Sequence, residues 1–215
     1  MQANGSIARI GGRLYTKNSR PGWSLGRERL EMLGGNEYRE WNPYRSKLSA
    51  YLECGGKHFP FDEFSRTLYL GAAAGTTASH VADISPSGKV YCIEKAFGPY
   101  SKLAGVCSLH DNMVPVMCDA NRPESYEMLV ENPQILYQDI AQKNLIEIFI
   151  RNARHFPSLR HFFVVVKSRS VDSSADPVLI FKSSAERLTA EFGCRPEIVD
   201  ISAFEKDHAV IAFGR

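Results

Sequence analysis

RTLYLGAAAGTTASHVADI, residues 66–84, is the stretch whose reading decides the fold. RTLYL (66–70) is a short apolar run of strand type, GAAAGTT (71–77) is a glycine loop, and the segment near 76–84 suits a helix. A strand that turns through glycines straight into a helix opens a ligand-binding α/β sheet. Gly71 and Gly75 permit tight turning and close backbone approach, and the helix start offers unpaired amide donors to a polar ligand. The G-x-x-x-G spacing matches neither the dinucleotide nor the triphosphate loop, and no lysine follows to meet a phosphate.

The same alternation continues downstream. Strand-like runs KVYCIE (89–94), NMVPVM (112–117), QILYQDI (134–140) and HFFVVVKS (161–168) are separated by helix-compatible stretches near 98–108, 123–130 and 142–156, and another follows near 177–192. Five strand-helix alternations predict a doubly wound, largely parallel α/β sheet. RPEIVDISAF (195–204) and DHAVIAFGR (207–215) differ, because only Glu-Lys separates them. That connection is too short for a crossover helix, so the last strand should run antiparallel to its neighbour.

Upstream, IARIGGRLYT, an SRPG turn signal and WSLGRERLEML suggest a few short antiparallel strands. In EYREWNPYRSKLSAYLECGG (37–56), Pro43 stands where a helix could begin and Gly55-Gly56 where it should end. Leu48, Tyr51 and Leu52 recur at helical spacing and predict one buried face. The expected division is a small N-terminal β domain over 1–43 and a larger α/β domain over 44–215.

Bulk properties narrow the classes. The chain has 215 residues, 44% of them hydrophobic, enough to bury roughly 70% of the surface an unfolded chain exposes. No apolar run approaches the ~18 residues of a membrane span, and MQANGSIARIGG lacks a signal-peptide apolar region, so a soluble intracellular chain is expected. Five widely spaced cysteines, without a CxxC pair or an HExxH helix, read as reduced core thiols, and no metal is expected. The net charge of +2 does not advertise nucleic-acid binding. Its distribution says more: residues 1–58 hold ten Lys/Arg and five Asp/Glu, whereas residues 59–215 hold sixteen and nineteen. Any polyanion contact should lie toward the N-terminal quarter.

Three acids carry the ligand argument. Glu94 closes the second strand of the large domain nineteen residues after Gly75, where such sheets place an acid on ribose hydroxyls. Asp119 closes the third strand, and Asp139 lies at the end of the fourth. Acids at successive carboxyl ends of parallel strands converge on one crevice. They would repel a polyphosphate and favour a ligand with positive charge and ribose hydroxyls, such as S-adenosylmethionine. An antiparallel last strand also suits the methyltransferase version of this sheet better than the dehydrogenase version, which is the alternative within the fold.

The segments EYREWNPYRSKL (37–48), LYLGAAAGTTASHVADI (68–84), QDIAQ (138–142), VVKSRSVD (165–172) and EKDHAV (205–210) resemble the signature segments of the fibrillarin family. The resemblance runs from about Arg13 onward. It implies a Rossmann-like S-adenosylmethionine-dependent methyltransferase fold with an added small β domain. It implies RNA 2′-O-ribose methylation within box C/D guide ribonucleoproteins, acting on rRNA or tRNA. The implied partners are the guide RNA, a Nop-family scaffold and, through the complex, a kink-turn-binding protein. The implied location is the nucleolus, or the cytoplasm for an archaeal source. A non-catalytic ribonucleoprotein subunit and a histone glutamine methyltransferase are the alternatives.

Residue by residue, the resemblance implies a catalytic group of Lys47, Asp139, Lys167 and His208. It implies cofactor contacts at Thr76 and Thr77 of the glycine loop, Glu94 with Lys95, Asp119 with Ala120, and Asp139, Ile140, Ala141 and Gln142. Lys95 departs from the family, which usually has an aromatic residue there. The chemistry suits the reaction. A ribose 2′-hydroxyl is a weak nucleophile and a very weak acid, so transfer needs in-line placement and a route for the proton. Asp139 could accept the hydroxyl hydrogen bond. Lys47 and Lys167 could favour the developing alkoxide, one of them, its charge disfavoured by the other cation, serving as base, with His208 orienting it or relaying the proton. Arg39, Arg45 and Arg169 could meet phosphates or lie solvated. Tyr38, Trp41 and Tyr44 read as hinge packing, and Cys118 as packing.

Overall fold

β5 (Arg66–Leu70) is an interior strand of a seven-stranded sheet, and its side chains from Thr67 to Leu70 are buried on both faces. The computed structural model describes residues 5–215; the first four residues of the expected N-terminal domain, and with them the start of MQANGSIARIGG, lie outside the described residues. β6 (Lys89–Ile93) and β8 (Ile135–Gln138) flank β5 in parallel, with β7 (Met113–Val116) outside β6 and β9 (His161–Lys167) outside β8. β11 (His208–Gly214) pairs antiparallel with both β9 and β10 (Glu197–Asp200). The order is β10-β11-β9-β8-β5-β6-β7. The doubly wound sheet with an antiparallel last strand is therefore as the sequence predicts. Pro115 is tolerated in β7 because that strand is an edge and needs no donor on its outer side.

β9 shows why the sheet is a two-sided core. In HFFVVVK, Phe163 and Val165 face one apolar cluster, while Phe162, Val164 and Val166 face the other. A continuous apolar run is what a strand covered on both faces requires. α1 (Lys47–Glu53), α2 (Thr76–Ile84) and α3 (Phe97–Cys107) cover the first face through Leu48, Tyr51, Val81 and Leu103. α4 (Leu145–His155) and α6 (Pro177–Phe192) cover the second through Phe149, Phe181 and Leu188, and the short α5 (Ser168–Val171) follows β9. α6 is fixed at both ends. Asp176 accepts a hydrogen bond from the Val178 amide, Pro177 opens the first turn, and Gly193 ends the helix in the left-handed region.

Three local expectations are corrected. Residues 123–130 form two short 3₁₀ turns, Pro123–Ser125 and Glu127–Leu129, instead of a helix. α1 starts at Lys47 behind a Ser46 cap, not at Pro43, whose place is in the preceding turn. All five cysteines are free, but only Cys92 and Cys107 are buried in the core.

β1 (Ile7–Ile10), β2 (Arg13–Lys17), β3 (Leu30–Leu33) and β4 (Asn36–Glu40) form an antiparallel sheet in the order β1-β2-β4-β3. It is joined to α2 by buried charge. Arg39, fully buried, donates to Asp83 Oδ2 at 3.1 Å through Nε and 2.7 Å through NH2, and to Glu28 at 2.8 Å. Thr16 Oγ1 and Ser19 also reach Asp83. Arg39 is thus committed within the fold and closed to phosphate. Trp41 and Tyr38 are likewise buried, whereas Tyr44 is exposed at the surface, its ring edge against Phe204.

Candidate active site

The strand order reverses at β5, whose neighbours β6 and β8 lead to opposite halves of the sheet. Ligand crevices of open α/β sheets lie at such a point, beyond the carboxyl ends of the strands. Here a cleft of about 360 Å³ is lined by Gly71, Ala73, Ile93, Glu94, Lys95, Asp119, Ala120, Asp139, Ile140, Ala141, Gln142 and Lys167, among others.

The glycine loop is built by alternating left-handed residues: Gly71 at φ 78°, Ala73 at φ 48° and Gly75 at φ 87°. A Cβ on Gly71 would lie 2.5 Å from the Asp139 carbonyl oxygen, so glycine lets the end of β8 approach. Glu94 holds the loop, accepting from the Ala73 amide at 3.0 Å and the Ala96 amide at 2.8 Å. The strained Ala73 is stabilised by that bond. Asp119 lies in the turn after β7, three residues beyond its last residue. Hydrogen bonds from Asn121, the backbone amide first, hold its carboxyl below the usual range, and Lys95 Nζ is 3.7 Å away.

At the cleft's inner end, Asp139 lies between two ammonium groups. Lys47 Nζ is 3.0 Å from Oδ2 and Lys167 Nζ is 2.8 Å from Oδ1. The carboxylate side chain is 13% exposed and the lysines 20% and 18%. Burial opposes the charge on Asp139, but the two lysines outweigh it and hold the carboxyl below its ordinary value. His208 is the first residue of β11 and pairs with Lys167, the last of β9. The four sequence-predicted residues therefore come from α1, the residue just after β8, β9 and β11 to one place.

The donor set fits a cationic, ribose-bearing ligand. Ile93, Ala120 and Ile140 supply apolar walls, and Glu94 and Asp119 supply acceptors for hydroxyl or ammonium groups. The cleft's two lysines are each set against a carboxylate, so neither is left over for a pyrophosphate.

The fibrillarin family model matches residues 6–214, almost the whole chain. The chain belongs to the fibrillarin family. A fibrillarin-like rRNA/tRNA 2′-O-methyltransferase of Thermoplasma acidophilum is 42% identical over 206 residues, covering 96% of this chain and 88% of its own. Aeropyrum pernix fibrillarin, solved in complex with natively bound S-adenosyl-L-methionine, aligns at 39% identity and a TM-score of 0.84, over 96% of this chain and 92% of that one. A chain of a crystal structure of a fibrillarin/Nop5p complex aligns at 37% identity and a TM-score of 0.84, over 98% of each.

Of the cofactor contacts that the fibrillarin resemblance implies, Glu94, Lys95, Asp119, Ala120 and 139–142 line the cleft, as does Gly71. Gly75, Thr76 and Thr77 are not among its lining residues. Gly75 faces α3, where an added Cβ would lie 3.1 Å from Leu103 Cδ1. Thr77 turns its hydroxyl to Ser46, at 3.0 Å. Ala73, Ile93 and Ser46 were not read as site residues from the sequence. For Ser46 a signal existed: a serine immediately before the first apolar-periodic residues is a helix cap. Arg169 is exposed and paired with Asp207 at 2.9 Å, and Arg45 is exposed while donating to the Leu25 and Gly26 carbonyls.

Proposed function

We propose that this chain is an S-adenosylmethionine-dependent RNA 2′-O-ribose methyltransferase of box C/D guide ribonucleoproteins, acting on rRNA or tRNA. The observation that carries it is the Asp139 carboxylate held between Lys47 and Lys167 at the inner end of an acid-lined cleft. S-adenosylmethionine supplies a methyl group activated on a sulfonium.

The chain's own residues do the rest. Glu94 takes the ribose hydroxyls of the cofactor while its bonds to Ala73 and Ala96 keep the loop in place. Asp119 and the 139–142 stretch hold the remainder of the ligand. Asp139 accepts the hydrogen bond of the target hydroxyl and fixes both ammonium groups beside it. Lys47 and Lys167 stabilise negative charge as it develops on the attacking oxygen. His208, neutral because burial lowers its basicity and both lysines lower it further, can accept a proton beside Lys167. On this reading residues 1–43 form the small β domain and 44–215 the methyltransferase domain.

Target choice would lie in base pairing by a guide RNA, with a Nop-family scaffold and a kink-turn-binding protein bringing the RNA to the cleft. The Nop5p complex of a fibrillarin supports the scaffold. The archaeal sources of the relatives favour the cytoplasmic alternative over a nucleolus. Among the described residues no helix is long and apolar enough to cross a membrane.

The test is transfer of radiolabelled methyl from the cofactor in a reconstituted guide complex. Label in ribonuclease-sensitive product, lost with Asp139→Ala, is expected. No transfer, transfer unchanged by Asp139→Ala, or label released only by protease would overturn the reading in favour of a structural subunit or a protein methyltransferase.

A further inference from the structure

Asp119 and Gln142 stand on different walls of the cleft, the first in the turn after β7 and the second in the loop after β8. Asn121, which is not among the lining residues, joins them. Its side-chain Nδ2 donates to Asp119 Oδ1 at 2.9 Å and reaches Gln142 Oε1 at 3.5 Å, and its backbone amide donates to the same Asp119 oxygen at 2.9 Å. An ionised carboxylate only accepts, so the Asn121 amide is oriented with its nitrogen toward Asp119 and its oxygen away. That oxygen accepts from Asn144 Nδ2 at 3.3 Å. Both ends of one amide are thus used, and three chain segments meet on it.

The surroundings hold Asn121 in that pose. Asn144 precedes α4, where an asparagine ordinarily caps, yet its side chain makes no capping bond to its own helix and turns to Asn121 instead. Arg151 NH1 donates to the Asn121 carbonyl at 2.6 Å, and the buried Asn152 donates to the Ala120 carbonyl at 2.8 Å. α4 therefore holds the 119–121 turn through Arg151 and Asn152, while its own start continues from the 139–142 stretch. With both Asn121 donors on Oδ1, Asp119 Oδ2 is the oxygen left for a ligand, with Lys95 Nζ 3.7 Å away.

We propose that Asn121 is a positioning residue for the cofactor: its amide fixes the Asp119 carboxylate against Gln142, so that the ligand meets a cleft already set, with Asp119 Oδ2 as the contacting atom. This rests on the reading that the cleft binds S-adenosylmethionine. Walls set before binding raise affinity because less freedom is lost when the ligand arrives.

The test measures dissociation constants of S-adenosylmethionine by calorimetry on the full chain, and kcat at saturating cofactor by labelled-methyl transfer with scaffold and guide RNA. Asn121→Ala should weaken cofactor binding by about tenfold, the scale of a lost hydrogen bond to a charged group, and leave kcat within about twofold. Asn121→Asp keeps the size and the acceptor but sets a second carboxylate beside Asp119. It should bind the cofactor less well than Asn121→Ala, with the excess loss reduced by salt. In an Asp119→Ala background, Asn121→Ala should cost clearly less than in the unsubstituted chain, because the two changes share one group. Asn144→Asp serves if Asn121→Ala folds poorly: it supplies a competent helix cap and draws the Asn121 nitrogen away from Asp119. It should weaken binding while the melting temperature holds or rises, a split that a purely structural role does not produce.

Cofactor affinity within about twofold of the unsubstituted chain in both Asn121→Ala and Asn144→Asp would overturn the proposal. So would normal binding by Asn121→Asp, a loss in Asn121→Ala carried by kcat at saturating cofactor, or full additivity with Asp119→Ala. If Asp119→Ala itself binds the cofactor normally, the role given to that acid fails, and the proposal with it. Impaired Asp119→Ala beside normal Asn121→Ala defeats only the positioning.

Discussion

His208 and Lys167 face each other across the antiparallel β9–β11 pair, the first residue of one strand opposite the last of the other. The His208 Nδ1 lies 2.7 Å from the Lys206 carbonyl oxygen and so carries the proton, leaving Nε2 as the acceptor. Burial pushes the imidazole below its ordinary value of 6.5, the Lys206 carbonyl opposes this, and Lys47 and Lys167 add to the depression. Protonation would place a third cation beside two lysines.

The pH dependence follows from that direction. kcat should decline on the acid side, below the ordinary histidine value, and His208→Gln should remove that limb while lowering the plateau by about tenfold or more. Because the folded value is depressed, the unfolded chain binds the proton first. His208 therefore contributes stability that is full above the unfolded value and lost as pH falls through the folded one. Melting temperatures measured from pH 7.5 to 5 should fall less for His208→Gln than for the unsubstituted chain.

Asp139→Asn preserves shape and removes the charge that both lysines share. Transfer should drop on the order of 10²-fold, the scale for removing one preorganised electrostatic group. The depressed carboxyl of Asp139 contributes stability above its unfolded value that disappears as pH falls through the folded one. Acid-induced unfolding of the two proteins, followed by circular dichroism below pH 5, should show the smaller pH dependence in Asp139→Asn.

Gly71→Ala tests the close approach of loop and strand. The new Cβ would meet the Asp139 carbonyl oxygen at 2.5 Å and Ile140 Cγ1 at 2.9 Å, on a backbone at φ 78°. Left-handed strain alone costs about 1–3 kcal/mol, and the displaced carbonyl moves Asp139 with it. Lower thermal stability together with weakened calorimetric cofactor binding is expected; unchanged binding would show that the cleft tolerates the shift.

Asp83→Ala tests the charge cluster beneath the N-terminal sheet. It would leave the Arg39 guanidinium buried with only Glu28 as counter-charge, while Thr16 and Ser19 lose an acceptor. Breaking a buried pair from one side costs about 3–5 kcal/mol. Urea unfolding should show a correspondingly lower midpoint, with the cofactor cleft, which Asp83 does not line, retaining its affinity in the folded fraction.

What was legible in the chain was whatever periodicity or a motif expresses locally. The apolar runs of β5, β6, β8 and β9 and the glycine loop announced the sheet and its switch point, and the family motifs brought together Lys47, Asp139, Lys167 and His208. Arg39 was not legible as a buried residue, because its partners Asp83 and Glu28 are distant or unremarkable in sequence and only the packing of β4 on α2 desolvates it. The 123–130 segment has helix-compatible residues, but Pro123 and the tight path to β8 leave room only for 3₁₀ turns. The direction of the Thr77 hydroxyl depends on where α1 lands, which no motif encodes.

Lys47 and Asp139 are 92 residues apart in the chain, yet their ion pair defines the reacting centre. Long-range closures of this kind are late events when a chain collapses, because their loop entropy must be overcome before the contact forms. A folding intermediate with a finished parallel sheet but an undocked α1 would hold the cleft and lack its lysine. Recovery of transfer during refolding should therefore lag recovery of cofactor binding, and the reaction itself reports completion of the fold.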